Sequence, residues 1–465
     1  MERELTAVWL LREVYESSAP LWAASGLVEE IDAVSRDVYD LEQSPLHDRV
    51  GSAAAARCGN ALFSQQRLGI PDMMRIHRKW GVIVAVVVVC AAGATFGQAN
   101  NAGSYISELR HTLRLRLGPD NVDAYISRGN AKGERGQYEE AIADYDQALQ
   151  LQPDNAFAYD HRGFAKIALG RFEEAVADYD QALQLRPDFA AARLYRGLAK
   201  FVLEQYEEAV ADLDQALQLW PDDAFAYVIR GEAKICLGQY EEAVADFNQA
   251  LQLQPDDVGA YLGRANARTF LGQYDDAFAD LDRALHLEPD NARAYLVLGG
   301  AKTRLGQYED ALTDYDRALQ LHPDYPAAYV GLGHAKAHLG EYEDAMADYD
   351  QALQLRSDYA SAYYLRGRAK VELGQYEDAI ADFDETIRLR PEKASGFVNR
   401  GIAKAHLGQY EDAITDYDQA LQLQPGHASA FHNRVLAKLN AGQNRNPMAD
   451  YDQALQFQPD FAVSY

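Results

Sequence analysis

Apolar and small residues recur along most of the chain in a pattern that repeats every 34 residues. One copy, from Asp154 to Pro187, reads DNAFAYDHRGFAKIALGRFEEAVADYDQALQLRP. Each copy has two stretches in which apolar residues lie three and four positions apart, and this spacing predicts two amphipathic helices. A proline closes each copy, with Ser357 in the single missing slot, and its ring ends the preceding helix. Residues 119–458 therefore predict ten consecutive helical hairpins.

Fixed small and aromatic residues predict how the two helices of a copy, helix A and helix B, pack together. Positions are numbered from the third residue after each proline. Position 8 is mostly glycine, such as Gly163, which lets neighbouring helices approach closely. Position 15 is also mostly glycine, such as Gly170, because a left-handed residue favours glycine where helix A ends. An aromatic residue at position 17 opens helix B, alanines at positions 20 and 27 face helix A, and a ring at position 24, such as Tyr179, fills the core.

These residues and their period resemble the tetratricopeptide repeat (TPR) family. The resemblance covers residues 119–458, about three quarters of the chain. It implies an all-α fold, a right-handed superhelical solenoid of about ten helix-turn-helix units in which each hairpin buries its apolar face against its neighbours. It also implies a protein–protein interaction scaffold. In the family, the A helices line a concave groove that binds partner peptides, chiefly through positions 2, 5, 6, 9, 12 and 13.

These six positions vary most between the copies, as expected for a binding surface on a fixed scaffold. In repeats 2 to 4, 13 of the 18 carry a large apolar or aromatic side chain or a cysteine, against 6 of 18 in repeats 7 to 9. We therefore predict a partner-binding groove formed by Phe157, Phe164, Ile167, Leu194, Tyr195, Leu198, Phe201, Phe225, Val228 and Ile235. The alternative is that part of this set is core between repeats. An exposed apolar surface of this size would mark an interaction site.

Polar residues occupy the same positions in repeats 7 to 9, namely His334, His338, Arg368, Asn399 and His406. His334 and His338 are four residues apart, a spacing that two metal ligands can use, with Glu372 as a third. We favour the alternative that the two histidines are polar groove residues. The sequence contains no P-loop, GxSxG or HExxH motif and no catalytic pair of carboxylates. We therefore predict no enzyme activity, no metal site and no cofactor.

Charged residues are fixed at three further positions. Position 7 is arginine in eight of the ten copies, position 11 is lysine or arginine in all ten, and position 23 is aspartate in all ten. The family usually has a large apolar residue at position 7 and tyrosine at position 11, so these charges are a departure from its pattern. We expect a ladder of ion pairs between helices. Ligand binding is the alternative, although a binding site rarely needs the same charge in every copy.

Two copies depart from the common pattern. Glu204 replaces the position-15 glycine of repeat 3, which predicts a strained turn. In repeat 10, Asn444 stands at position 17 and Pro447 at position 20, so helix B is expected to begin late. Residues 459–465 would start a further, incomplete repeat, and we expect that the chain is truncated there.

Residues 73–99 predict a signal peptide or a signal-anchor transmembrane helix. Arg75, Arg78 and Lys79 precede an uncharged run of 17 residues over 80–96, WGVIVAVVVVCAAGATF, in the pattern of an export signal. A run of this length is at the lower limit for spanning a bilayer. In both alternatives the basic flank stays in the cytoplasm, and the region after residue 100 lies outside it.

The segments around the apolar run are less informative. Residues 1–72 form either a short N-terminal helical region of unknown role or an over-extended gene start, with Met73 or Met74 as the true start. Residues 100–118 are interpreted as a linker. The three cysteines show no spacing typical of a metal site or a disulfide framework.

The charge of the repeat region limits the class of partner. Residues 119–465 contain 58 acidic and 32 basic residues, and so carry −26 of the net charge of −27. Nucleic-acid affinity depends on cationic groups that neutralise phosphates, so we predict no nucleic-acid partner. The expected partners are other proteins or peptides, with the membrane contacted through residues 80–96. Self-association into a structural array and a regulatory role in a truncated enzyme are the alternatives.

Overall fold

The computed structural model describes residues 120–442, together with residues 107, 108, 111, 112 and 115. It divides into an N-terminal unit, Met1–Pro221, and a C-terminal unit, Asp222–Tyr465. Between residues 120 and 221 the helices are α1 (Val122–Gly133), α2 (Tyr138–Leu151), α3 (Ala156–Ala168), α4 (Phe172–Leu185), α5 (Ala190–Val202) and α6 (Tyr206–Leu219).

The described part of the C-terminal unit is likewise built of helices. They are α7 (Ala224–Cys236), α8 (Tyr240–Leu253), α9 (Val258–Phe270), α10 (Tyr274–Leu287), α11 (Ala292–Leu305), α12 (Tyr308–Leu321), α13 (Pro326–His338), α14 (Tyr342–Leu355), α15 (Ala360–Glu372), α16 (Tyr376–Leu389), α17 (Ala394–His406), α18 (Tyr410–Leu423) and α19 (Ala428–Asn440). Odd-numbered helices are the A helices and even-numbered helices the B helices. From α1 to α18, each A helix packs along the B helix that follows it. The prediction of consecutive helical hairpins is confirmed for these nine hairpins among the described residues.

The glycine at position 8 makes room for the ring at position 24. A Cβ atom on Gly163 would lie 2.9 Å from the ring of Tyr179, and one on Gly231 would lie 2.8 Å from the ring of Phe247. Both rings are fully buried, as are the alanines at positions 20 and 27. The glycines are therefore required by close packing between helices A and B, as the sequence predicts.

The turn between helices A and B requires a left-handed residue. Gly170 ends the α3–α4 turn with a φ of +75°, and Glu204 takes the same conformation after α5 with a φ of +61°. This conformation costs a residue with a side chain about 1–2 kcal/mol. The turn at Glu204 is therefore strained, as predicted.

The fixed charges form a ladder that joins helices within and between repeats. Arg162 on α3 donates to Asp178 on α4 through Nε (3.0 Å) and Nη2 (2.6 Å), and Lys166 lies 2.8 Å from the same carboxylate. The Nη1 atom of Arg162 reaches back to Asp146 of the preceding repeat at 2.5 Å. The prediction of an ion-pair ladder is confirmed. The additional partner at position 25 of the preceding repeat was not predicted.

The ladder is interrupted in the C-terminal unit where leucine replaces arginine at position 7. Leu298 and Leu332 occupy these places, and Asp314 is left with Lys302 at 2.6 Å as its ion-pair partner among the described residues. Burial raises the pKa of Asp314, and the lysine only partly offsets this effect. The buried carboxyl of Asp314 thus has one cation beside it, whereas Asp178 has both Arg162 and Lys166.

Several predictions fall outside the described residues. They are the N-terminal region 1–72, the signal or transmembrane segment 73–99, most of the linker 100–118, the late helix B of repeat 10 and residues 459–465. Among the helices that the structure does describe, none is both long enough and apolar enough to cross a bilayer.

Candidate partner-binding site

Two phenylalanines lie half exposed on helix α3. Phe157 at position 2 is 51% exposed and Phe164 at position 9 is 44% exposed. They are seven residues apart, two helical turns, and therefore lie on the same face of α3. Leaving two aromatic rings in water is unfavourable, so this face is suited to being covered by another molecule.

The neighbouring A helix fixes the orientation of both rings. Phe164 contacts Tyr195 of α5 edge to face, with ring centroids 5.2 Å apart. Phe157 contacts Phe189, the residue that precedes α5, in the same way at 5.3 Å. The guanidinium of Arg186 lies over Phe157 and Phe189, at 5.4 and 5.0 Å from the ring centroids. The exposed faces of the two phenylalanines are thus held in place by α5 and by the turn before it.

Asp160 lies on the same face of α3, between the two phenylalanines, and is only 8% exposed. Its Oδ1 atom is buried and accepts no hydrogen bond from any residue that the structure describes. Burial raises the pKa of Asp160 to about 7. A carboxyl group in this situation is costly when ionised, and no lysine or arginine of the described residues pairs with it as in the ladder.

The polar groups around Asp160 do not supply the missing charge. His161 Nδ1 is 3.9 Å from Asp160 Oδ2, but burial lowers the pKa of His161, so its ring is neutral at neutral pH. The hydroxyl of Tyr179 is buried and has no hydrogen-bond partner among the described residues. Burial, and then the charge of Asp160, raise the pKa of this tyrosine. We call the surface formed by Phe157, Asp160, Phe164 and Tyr195 the α3–α5 site.

Three other predicted groove residues of the N-terminal unit lie deeper than Phe157 and Phe164. Leu194 is 5% exposed, so it is a core residue and offers no surface to a partner. Ile167 and Tyr195 are half-buried and pack against the core cluster that contains Tyr179. The alternative that part of the apolar set is core between repeats therefore applies to these positions.

Leu198 and Phe201, also predicted for the groove, are half-buried on α5. The ring of Phe201 lies 5.9 Å from that of Tyr206, which opens α6. Phe201 thus packs partly against its own repeat. It presents less surface than Phe157 or Phe164.

The remaining predicted groove residues belong to the C-terminal unit. Phe225 on α7 is 45% exposed. Val228 and Ile235 are half-buried and pack against the core cluster around Phe247. In this unit too, position 2 presents its side chain to solvent more than the other predicted positions do.

The histidines of repeat 7 form a pair whose surroundings are cationic. The Nε2 atoms of His334 and His338 are 3.2 Å apart, and His338 stacks on Tyr308 with centroids 4.7 Å apart. Burial, together with His338, Arg368 and Arg304, lowers the pKa of His334 to about 4. Nearby arginines repel a metal ion. Within the described residues, no group of three or more histidine, cysteine, aspartate and glutamate side chains is placed to hold one.

Comparison of the repeats contains a signal for Asp160 that the sequence analysis missed. Position 5 carries an apolar or aromatic residue in eight of the other nine copies, and His432 stands in the ninth. Leu194, Leu262 and Val398 at this position are 5%, 2% and 4% exposed. The other residues at this position are half-buried. Position 5 is therefore buried or half-buried in every described repeat, and a single acidic residue there is exceptional.

The helical hairpins, the packing of glycine against the position-24 ring and the exposed side chains on helix A define a helical repeat protein of the kind that presents a surface to partners. Models described as tetratricopeptide repeat match residues 163–224, 271–313 and 364–428. Models described as TPR repeat match residues 129–170, 231–269, 299–340 and 334–371. The chain belongs to the tetratricopeptide repeat family.

Several solved structures are similar to this chain. A tetratricopeptide repeat protein from Parabacteroides merdae is 21% identical, with a TM-score of 0.49, over 54% of this chain and 99% of its own. YrrB, a TPR protein with an unusual peptide-binding site, is 25% identical, with a TM-score of 0.32, over 40% and 96%. The human IFIT1 dimer with m7Gppp-AAAA is 15% identical, with a TM-score of 0.48, over 72% and 90%. No curated protein matches the chain.

Proposed function

We propose that the chain is a protein-binding scaffold, not an enzyme, and that it holds apolar peptide segments on the exposed face of its A helices. The observation that carries this proposal is the pair of half-exposed rings, Phe157 and Phe164, on one face of α3. Helix A is also where the family resemblance places the peptide groove. The acidic charge of the repeat region favours a protein over a nucleic acid as partner.

An aromatic pair is a suitable anchor for such a segment. A few buried aromatic side chains dominate the binding energy of most protein interfaces. Phe157 and Phe164 are fixed by Phe189 and Tyr195, so little conformational entropy is lost when a partner covers them. An extended or helical segment with apolar side chains along one face fits two rings spaced by two helical turns.

The phenylalanine pair can be tested with peptides selected against the full chain from a displayed random library. We expect the double substitution Phe157→Ser and Phe164→Ser to weaken binding of the selected peptides at least about 30-fold, since loss of an aromatic anchor costs about 2 kcal/mol or more. Helical content and melting temperature should change little, because both rings are half exposed. The readouts are the dissociation constant, circular dichroism and thermal melting.

A matched control separates this surface from general apolar adhesion. Leu151 and Leu185 are exposed to a similar degree, 42% and 43%, but lie at the ends of B helices α2 and α4. Replacing these leucines with serine should leave peptide binding unchanged. Equal losses for the leucine and phenylalanine variants would exclude the A-helix face as the specific site.

We also propose that the repeat region lies outside the cytoplasm, exported or anchored through residues 80–96. The support is the basic flank followed by the uncharged run of 17 residues. A reporter that is active only outside the cytoplasm, fused after Tyr465 of the full chain, should be active. Val87→Arg together with Val88→Arg should abolish that activity, because two charges in the apolar run oppose insertion. Activity retained by the arginine variant, or absent from the unchanged chain, would contradict export through this segment.

A further inference from the structure

Asp160 occupies a place where the repeat architecture otherwise uses apolar side chains. Position 5 is buried or half-buried in every described repeat, and the equivalent Leu194 and Leu262 are almost completely buried. Asp160 is itself 8% exposed, so an acidic group has been placed in an environment that suits leucine. A buried charged group without a partner is strongly unfavourable. An ionisable group kept at such a position is a candidate for a functional role.

Where the ion-pair ladder is complete, its buried aspartates each have two cationic partners. Asp178 and Asp212, each 3% exposed, pair with an arginine and a lysine. Asp160 has no such pair among the described residues: Oδ1 accepts no hydrogen bond, and the group near Oδ2 is His161 at 3.9 Å. Within the described part of the chain, Asp160 therefore lacks the cationic partners that the ladder aspartates have.

The α3–α5 site places Asp160 close along α3 to two exposed aromatic rings. Phe157, Asp160 and Phe164 are spaced at i, i+3 and i+7 on α3, so Asp160 lies one helical turn from each of the two half-exposed phenylalanines. The side chain of Asp160 is 12% exposed, so the carboxyl is largely but not completely buried. Aromatic rings stabilise an adjacent cation through their negative faces. The surroundings of the carboxyl thus suit a cation carried on an apolar stem.

We propose that Asp160 pairs with the lysine or arginine side chain of a bound peptide segment, while Phe157 and Phe164 contact apolar side chains that flank this basic residue. The proposal rests on the proposed function of the same site and adds the chemistry of its partner. A long basic side chain fits because its methylene stem can lie along the rings while its charged end reaches the carboxyl. A divalent metal ion does not fit, because it requires several oxygen ligands and Asp160 is a single carboxylate.

The test uses peptides selected from a displayed random library against the full chain. The selected peptides should be enriched in lysine or arginine next to aromatic or aliphatic residues. For one selected peptide, replacing its basic residue with norleucine or citrulline, which keep the stem and remove the charge, should weaken binding at least about 30-fold. Asp160→Asn, which keeps the shape of the protonated acid, should weaken binding of the basic peptide to the same extent. This variant should bind the basic and neutral peptides equally.

Two controls decide between the outcomes. Glu173→Gln removes an exposed acidic residue of α4 and should leave binding unchanged, which excludes a general effect of the protein's negative charge. If Asp160→Asn misfolds, the comparison of the basic and neutral peptides still tests the proposal, because both dissociation constants are measured on the unchanged protein. Equal binding of basic and neutral peptides by the unchanged protein would overturn the role of Asp160. If the serine substitutions at Phe157 and Phe164 still weakened binding, the scaffold proposal would stand without it.

Discussion

Asp178→Ala should lower the free energy of opening of the α3–α4 hairpin by about 3–5 kcal/mol, because it removes one partner from a buried charge network. The Asp178 carboxylate accepts from Arg162 at 2.6 and 3.0 Å and pairs with Lys166 at 2.8 Å. The side chains of Arg162 and Lys166 are only 19% and 12% exposed. Without Asp178, two neighbouring cations would stay largely buried with no carboxylate between them.

Native-state hydrogen exchange of the α3 and α4 amides measures this effect locally. A local measurement is preferable because a repeat array need not unfold in one step. The matched control is Asp146→Ala, which removes the other partner of Arg162. Asp146 is 45% exposed, so its loss should cost at most about 1 kcal/mol. Small and equal effects of both substitutions would show that the ladder contributes little to stability.

The fold could be predicted because most repeats use the same residue types at the positions where helices A and B pack together. Gly163 is glycine because the Tyr179 ring lies 2.9 Å from where its Cβ would be, and a period of 34 makes that constraint visible in eight of the ten copies. The turn at Glu204 could be predicted as strained for the same reason, since its neighbours use glycine in the left-handed conformation. Comparison of the copies therefore predicts both the close packing of helices A and B and the left-handed residue in the turn between them.

The exposure of individual helix-A positions was less predictable, because it depends on the packing of the next repeat. Phe157 and Leu194 were predicted to share one groove, yet the first is 51% exposed and the second 5%. Position 13 is another example. His338 at this position stacks on Tyr308 of the preceding repeat. The spacing of apolar residues within one helix does not predict such a contact between repeats.

Asp160 was missed for a related reason. A polar residue on a variable helix position is usually solvated, and position 5 was assigned to the groove. Leu194, Leu262 and Val398 at the same position are buried, and the other copies are half-buried there, so this position packs at least partly against the core. With that knowledge, the sequence itself identifies Asp160 as an acidic group in an apolar place.

Asp160→Asn should stabilise the unliganded α3–α4 hairpin at neutral and alkaline pH and have little effect in acid. Burial raises the pKa of Asp160 from its ordinary value of 3.8 to about 7, so the folded state disfavours the ionised form. The unchanged protein therefore loses stability as pH rises from the unfolded pKa towards the folded one, and the loss is complete above about pH 7. A shift of this size corresponds to about 4 kcal/mol, which the neutral asparagine avoids.

The other groups that face Asp160 do not produce this profile. His161 on the same helix has its pKa lowered by burial, while burial raises the pKa of Tyr145 on α2 and of Tyr179 on α4, so the tyrosines stay neutral. Hydrogen exchange of α3 in both proteins at a series of pH values, corrected for the intrinsic exchange rate, gives the difference in opening free energy. The difference should be near zero at about pH 4 and reach its maximum at about pH 8. A difference that is constant across this range, or that grows towards acid, would show that Asp160 is not a buried carboxyl kept without a cation.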